Sequence, residues 1–495
     1  MMYITNLEGA NIIREKVGVN NNATLPNSLF LMNFLKKEDK RIIENKIHID
    51  CLINVKFSSD YFEIVDEKKK VIMTKQDIRE ELYINGFDFE GKHYVRAYRS
   101  AGKARVGECI FIEESRYNDM LKIQLAGLPI VKNDSVDLAG LEAYRSLICS
   151  DCIGTISIKA NEIILMNDIE SPEIKEIKSV TSQSGDILKT ENKEISVKTC
   201  ITDGSSLGDS SLFTGVLEGK SFGLLRNHFF KSAMFNVNLQ DFFKDHNITE
   251  LTDMFGNTHK ASDIKLIITP NSLKMLKFEH LFTSKEECYK HWLSVMLDFG
   301  VVKYDKAGHS SSTTYQFINS LPLNNKEVKE LLKDNIKHID ELNNNADYFA
   351  EFVKNQSTLP VKLLNINSDY QFTTQYKNYR KGIVQSAKNE LYSGRIDLNK
   401  SNCGYHTMLC NPIIQLYAFC GLEIKQELQE NQIYCSKFEN DKELVAFRNP
   451  HILCSNVYVC KNTYNEEFKY LNLSPNIVVV NGWDIDICNR LEGAD

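Results

Sequence analysis

The sequence predicts an α+β fold, and three observations lead to it. Short β-rich runs bounded by turn residues recur along the chain: Ile47 to Val55, Cys109 to Glu113, Ile264 to Thr269, Leu444 to Val459 and Ile477 to Val480 read as strands. Lys326 to Leu342 places Val328, Leu331, Leu332, Ile336, Ile339 and Leu342 at helical spacing, the mark of an amphipathic helix. Apolar residues make up 42% and charged residues 25% of the 495 positions. That balance excludes a disordered or fibrous chain and leaves length for a sizeable core.

At roughly 150 residues per domain, the length fits two to four domains. Residues 1 to 160 are expected to form a mixed α/β region. Its strands are Ile47 to Val55 and Cys109 to Glu113, the second following the turn-like Gly102 to Gly107, and Ile78 to Tyr83 forms one helical face. Residues 161 to 198 are dominated by Glu, Lys, Ser, Asp and Ile, which suits a polar linker or excursion and equally an ordered polar hairpin. Residues 199 to 283 hold the most patterned β segment, from the Asp203-Gly204 turn to the strand that ends at Pro270. Residues 284 to 369 are a helical connector. It opens at Ser284, an N-cap with Glu287 three residues on, as in a capping box. Residues 370 to 495 form a second β unit. Within it, Tyr370 to Lys400 carries Lys377, Arg380, Lys381, Lys388, Arg395 and Lys400, interleaved with Tyr376, Tyr379 and Tyr392. Basic residues neutralise phosphates and tyrosines stack on bases, so this segment is a candidate nucleic-acid groove, with a solvated basic face as the alternative. No internal repeat stands out at a period of about 20 to 50 residues.

The net charge of −7 excludes a uniformly basic nucleic-acid coat but not a local basic channel. No window approaches ~18 consecutive apolar residues, so no transmembrane helix is expected. Met1 to Ile13 lacks a signal-peptide layout. The 13 cysteines are scattered without framework spacing, which fits reduced thiols in a cytoplasm. The Gly-rich phosphate loops and the nucleophile elbow are absent. Cys149-Ser-Asp-Cys152 has no second pair at zinc spacing and reads as two ordinary thiols. His291 and His406 read as core or surface residues. Asp484 and Asp486 form an Asp-x-Asp that would hold Mg²⁺ through hard oxygens or, more commonly, lie solvated in a turn.

Several charged residues sit inside apolar contexts. Lys231 follows Phe229-Phe230 and precedes Ser232-Ala-Met-Phe235; such a lysine either snorkels to the surface or serves a buried anion. Lys274 lies similarly, after Ile267-Ile-Thr-Pro270 and before Met275-Leu276. Arg395 lies in Tyr392-Ser-Gly-Arg395-Ile, where the glycine allows close backbone approach. Arg448 precedes Asn449-Pro450-His451, and Asp495 follows Asn489-Arg-Leu-Glu-Gly-Ala.

In this order, the segments resemble the RNA polymerases built on two double-psi β-barrels. They are closest to the single-chain branch: the RNA-dependent RNA polymerases of eukaryotic RNA silencing and their phage and bacterial relatives. Asp203-Gly204, Arg226 and Lys231 match the first barrel's Asp-Gly turn, arginine and lysine after a bulky pair. Thr269-Pro-Asn-Ser-Leu-Lys274-Met loosely fits its Pro-Ser-x-x-Lys-Phe-like element, and Asp253-Met-Phe-Gly-Asn257 its preceding turn. Tyr392-Ser-Gly-Arg395-Ile, Arg448-Asn-Pro-His451 and Asn489 to Asp495 are similar, in order, to elements of the larger bacterial subunit, with the histidine displaced. Residues 1 to 198 carry little of the likeness.

The resemblance implies two double-psi β-barrels, at 199–283 and 370–495, with helical insertions. It implies template-directed joining of ribonucleoside triphosphates by a two-metal mechanism with Mg²⁺ or Mn²⁺. Lys231, Lys274 and Asp495 would be catalytic, Asp495 also a metal ligand. Arg226, Arg395 and Arg448 would bind substrate. The partners would be a single-stranded template and ribonucleoside triphosphates. Asp495 matches the first of three aspartates on the family's metal loop. The other two are therefore expected from a C-terminal segment or a second chain, and the 495 residues alone are expected to be inactive. Two other readings stand beside this one: a non-catalytic nucleic-acid-binding or scaffold protein that kept the barrels, and an unrelated α/β protein of mobile elements.

Overall fold

The computed structural model describes the chain except for residues 1, 16–20, 66–67, 100–105, 131–134, 172–173, 185–186, 199, 306–311, 397–402, 450–455, 485–486, 488–489 and 491–495. The N-terminal region is built on β1 (Met2–Glu8), β2 (Asn21–Leu25), β3 (Lys40–Ile43), β4 (Lys46–Lys56), the separate hairpin β5 (Tyr61–Val65) and β6 (Lys68–Met73), and then β7 (Phe87–Phe89), β8 (Lys92–Tyr98) and β9 (Glu108–Glu113). Its sheet runs β2–β1–β4–β9–β8–β7, with β3 on the free half of β4. Cys51, Leu52, Ile53, Asn54 and Val55 of β4 are buried in succession; burial of consecutive residues, which point to opposite faces, marks a strand covered on both faces. The covering helices are α1 (Gly9–Ile13), α2 (Leu29–Phe34), α3 (Lys75–Asn85) and α4 (Tyr117–Leu125), followed by α5 (Leu138–Arg145). A full Thr74–Asp77 capping box starts α3, which buries Ile78 and Leu82, the face expected from sequence.

The second sheet comprises β10 (Gly154–Ile156), β11 (Ile163–Leu165), β14 (Ser205–Asp209), β15 (Phe222–Asn227), β16 (Phe230–Val237), β19 (Leu266–Ile268) and β20 (Phe299–Tyr304). Two hairpins interrupt it: β12 (Ile174–Ser184) with β13 (Ile187–Val197), and β17 (Glu250–Thr252) with β18 (Thr258–Lys260). The polar stretch at 161–198 is therefore mostly an ordered hairpin. The third sheet comprises β21 (Thr407–Cys410), β22 (Gln432–Tyr434), β23 (Glu443–Ala446), β24 (Tyr458–Asn462) and β25 (Ile477–Val480).

These two sheets repeat one topology. Part of the second runs β11–β19–β14–β16–β15, and the third runs β21–β25–β22–β24–β23. In each, the first strand in the chain pairs with the fifth, the fifth with the second, the second with the fourth and the fourth with the third. The pairings alternate parallel, antiparallel, parallel, antiparallel in both. Both sheets are half-barrels. They meet through Phe222, Phe235, Leu409 and Ile477. A larger shared core joins Phe242 and Phe243 of α6 (Leu239–Asp245) to Ile413, Leu416, Phe468 and Tyr470.

Helix α7 (Lys285–Val295) begins as the sequence predicts, with the Ser284 hydroxyl accepting the Glu287 N–H at 3.1 Å. The Glu287 carboxylate instead takes the Thr283 hydroxyl, so the capping box is half made. After α8 (Tyr315–Ser320), helices α9 (Asn325–Asn344), α10 (Ala346–Val353), α11 (Leu359–Ile366) and α12 (Thr374–Tyr392) form a small bundle around Ile339, Leu342, Phe349, Val353, Val361, Tyr376 and Val384. The stretch from Thr374 to Tyr392 is thus helical and belongs to the bundle, whereas the boundary at 370 expected it within a β unit. Helix α13 (Pro412–Phe419) follows β21. Among the described residues, no helix is long and apolar enough to cross a membrane.

The second sheet carries a titratable group in its core. His228, at the β15–β16 turn, is buried, and its Nδ1 has no hydrogen-bond partner. Its carbonyl accepts Trp292 Nε1–H at 2.8 Å. Burial pushes its pKa down to about 4, whereas an unfolded histidine titrates near ~6.5. Between those values the unfolded state binds more protons, so stability falls as pH drops from about 6.5 toward 4, by on the order of 3 kcal/mol. Chemical denaturation of wild type and His228→Leu across this range should show that component only in the wild type.

Candidate functional site

The two candidate lysines come from segments stitched to each other. β15 turns into β16 through His228 and Phe229, and Phe229 adopts φ +48°, a conformation rare for a bulky side chain. Tertiary contacts hold it there: the ring is fully buried and edge-on to Phe278 at 5.5 Å, and its carbonyl accepts the Met275 N–H at 3.2 Å. One step on, Phe230 bridges Leu273, and the Lys231 N–H donates to the Ser272 carbonyl at 3.0 Å. Beneath them the buried hydroxyls of Ser272, Ser232 and Ser206 form a chain at 3.1 and 2.9 Å. This satisfies polar groups that would be costly to bury alone.

Lys231 is exposed and Lys274 half-buried. Burial lowers the Lys274 pKa; the carboxylates of Asp203 and Asp168 oppose this, and Lys277 and Lys231 reinforce it. Three lysines and two aspartates therefore share one field. The Lys274 ammonium donates to the Asn271 carbonyl. Asn271 is held in turn: its N–H donates to Asp168 Oδ2 at 3.2 Å, while the Thr202 hydroxyl donates to Asp168 Oδ1 at 2.8 Å. The Asp203-Gly204 turn lies alongside, with Gly204 at φ +63° and its carbonyl accepting the Ala233 N–H at 2.8 Å.

Arg226 stands opposite Lys231 in the β15–β16 register. Burial depresses its pKa, opposed by the neighbouring Cys152, and its guanidinium donates to the Leu225 carbonyl at 2.8 Å. The third sheet reaches this neighbourhood at Gly482, just past β25. A Cβ there would lie 2.6 Å from Ile201 Cγ2, so only glycine lets the turn close on the residue next to Thr202. Two residues on, Asp484 is buried. It accepts the Tyr458 hydroxyl at 2.7 Å and the backbone N–H groups of Asn431 and Ile487 at 3.0 and 3.3 Å. It is a structural carboxylate, not the solvated turn residue favoured from sequence. Asp486, His451 and Asp495 lie outside the described residues.

Arg395 and Arg448, both exposed, are carried by segments that meet around residues 313–317. Gly394 takes φ +75°, and a Cβ on it would lie 2.8 Å from Tyr315 Cα, which explains the glycine in Tyr392-Ser-Gly-Arg395. The Thr313 N–H donates to the Ile396 carbonyl at 2.8 Å, and the Thr314 hydroxyl to Asn449 Oδ1 at 2.8 Å. Phe447 stacks on Phe317 at 4.1 Å.

The expected basic groove on α12 is reduced. Lys377 and Lys381 are exposed. Arg380 instead turns inward: its Nε–H donates to the Leu342 carbonyl at the end of α9 at 2.9 Å, and its guanidinium lies 5.2 Å from the Phe349 ring centre. It caps a helix C-terminus, where a cation is favoured. Tyr376 is buried and the Tyr379 hydroxyl donates to Gln356 at 2.8 Å, so of the three interleaved tyrosines Tyr392, 81% exposed, is the most open.

Cys149 and Cys152 are buried in the N-terminal core, Cys152 against Gly300. His291 Nε2 donates to the Ala126 carbonyl at 2.8 Å. Burial lowers the pKa of His406, whose Nδ1 donates to the Gly404 carbonyl at 3.0 Å. Among the described residues, no group of three or more His, Cys, Asp or Glu could hold a metal ion. The residues that sequence reasoning missed are Asp168, Thr202 and Asn271. Asn271 lies in the Thr269-to-Met275 element without a role of its own there, and no motif marks Asp168 or Thr202; only the fold joins Asp168 to Asn271 across 103 positions. Compared with known proteins, the chain matches no family model and no curated protein.

Proposed function

We propose that the chain is part of a template-directed RNA polymerase whose two repeated half-barrel sheets are double-psi β-barrels, with the remaining metal-loop aspartates supplied by a further segment or a second chain. The observation that carries this reading is the pairing of Lys231 and Lys274 on hydrogen-bonded neighbouring segments, with Gly482 of the third sheet closing on the adjoining Ile201. The reaction is attack of a 3′-hydroxyl on the α-phosphate of a ribonucleoside triphosphate, with pyrophosphate leaving. Lys231 and Lys274 meet the triphosphate and neutralise charge that grows in the transition state. Arg226, opposite Lys231 on β15, Arg395, just past α12, and Arg448, just past β23, bind substrate. Asp495 and further carboxylates would hold Mg²⁺ or Mn²⁺, which when bound would supply activation of the hydroxyl and stabilisation of the leaving group. The template is single-stranded nucleic acid.

Lys377 and Lys381 contribute phosphate contacts in this reading. Fluorescence anisotropy with single-stranded RNA and DNA at several salt concentrations checks this. Lys377→Glu with Lys381→Glu should weaken binding at low salt and reduce the salt slope by about 1 per lysine. Arg380→Ala should instead loosen the bundle, seen as a lower thermal transition. Unchanged binding in the double variant would remove α12 from the template path.

A further inference from the structure

We propose that Asp168 is the positioning residue for Lys274: through Thr202 and Asn271 it fixes the turn that carries the lysine and sets the field around its ammonium. The proposal rests on Lys274 being a triphosphate ligand, and its test separates the two ideas.

Asp168 lies just past β11, half-buried. Each of its oxygens has a defined donor, the Thr202 hydroxyl on one and the Asn271 N–H on the other. Thr202 is itself fixed, because it is fully buried and its oxygen accepts the Ile169 N–H at 3.2 Å. The hydroxyl hydrogen then faces the Cys200 sulfur at 3.4 Å and the Asp168 carboxylate at 2.8 Å, and the nearer, charged carboxylate is the stronger acceptor. On the far side, Asn271 Nδ2 donates to the Cys200 thiol at 3.1 Å, which fixes the asparagine side chain as well. Asn271 is thus held at its N–H and holds Lys274 at its carbonyl. A displacement at Asp168 passes to the ammonium through one residue.

The groups facing that ammonium are Asp168, Asp203, Lys231 and Lys277. Asp203 is exposed on its turn and acts through charge, whereas Asp168 supplies both charge and hydrogen bonds. The sign follows directly. A nearby carboxylate favours the protonated amine, so its removal lowers the Lys274 pKa and leaves more neutral amine at a given pH. If the charged amine neutralises the triphosphate, the same change pulls the alkaline limb of the pH–rate profile to lower pH.

The test measures the amine itself. Wild type, Asp168→Asn and Thr202→Val are labelled with an amine-reactive anhydride across a pH series, and the Lys274 peptide is quantified by mass spectrometry with Lys326 on α9 as control. Asp168→Asn should shift the Lys274 curve to lower pH with Lys326 unmoved, and Thr202→Val, which keeps the charge but loses the orienting hydroxyl, should shift it less. With the remaining aspartates supplied, ribonucleotide incorporation should fall about 10- to 100-fold in Asp168→Asn, chiefly in kcat, the cost of a misplaced group. Superimposable Lys274 curves in folded wild type and Asp168→Asn would overturn the proposal whatever the activity. A shifted curve in a protein whose wild type, supplied with the remaining aspartates, incorporates no nucleotide would uphold the link to Lys274 and overturn the polymerase reading.

Discussion

Replacing Lys231 with alanine in the chain supplied with the remaining aspartates is expected to cut ribonucleotide incorporation by about 100- to 1,000-fold, the usual loss when one preorganised electrostatic group is removed from a reacting centre. The protein should stay folded. The Lys231 side chain is exposed, and the bond that stitches this position to Ser272 uses its backbone N–H, which alanine retains. Lys231→Arg keeps the charge but not the compact ammonium, and should recover part of the loss. Lys274→Ala should fall comparably, and the double variant by less than the product, because groups acting on one transition state are not additive. Single-turnover incorporation at saturating nucleotide reads these effects. A Lys231→Ala rate within twofold of wild type would remove Lys231 from the reacting centre.

Asp484→Ala should destabilise the third sheet by about 3 kcal/mol, because it strands a buried tyrosine hydroxyl and two backbone N–H groups without an acceptor. The chain's 2 tryptophans make this readable by region. Trp292 lies in the core of the second sheet and Trp483 adjoins Asp484 past β25. Urea unfolding followed with each tryptophan replaced in turn by phenylalanine should show the Trp483 transition moving to lower denaturant. Asp484→Asn, which keeps an acceptor for Tyr458, should lose less stability and keep its metal dependence. Loss of metal dependence in a stably folded Asp484→Asn protein would make Asp484 a metal ligand instead.

Where local chemistry decides structure, the sequence was readable. The Cys51-Leu-Ile53 run of β4 is continuous because the strand is buried on both faces there, and the Lys326–Leu342 helix carries its own periodicity. Ser284 caps α7 with a bond three residues long. The repeat of the two sheets was not readable. Its strands include Leu266–Ile268 and Gln432–Tyr434, too short to show alternation, and hairpins and loops of unequal length separate equivalent strands. Helix α12 was misassigned because its lysines and tyrosines drew notice as a binding composition. Tyr376, Tyr379, Ile383, Val384, Ala387 and Leu391 recur at helical spacing, and that spacing decides which way each residue points. The lysine pair was legible only through the order of weak motifs. The Asp168–Thr202–Asn271 link lay beyond the sequence, because its partners are distant in the chain and ordinary in type.

The central claim is tested most directly by incorporation of labelled ribonucleotides by the full natural chain on single-stranded RNA and DNA of defined sequence, with Mg²⁺ or Mn²⁺ and after chelation. The account predicts a metal-dependent product complementary to the template, lost in Lys231→Ala. A folded protein that binds single-stranded nucleic acid yet incorporates nothing on either template with either metal would contradict it.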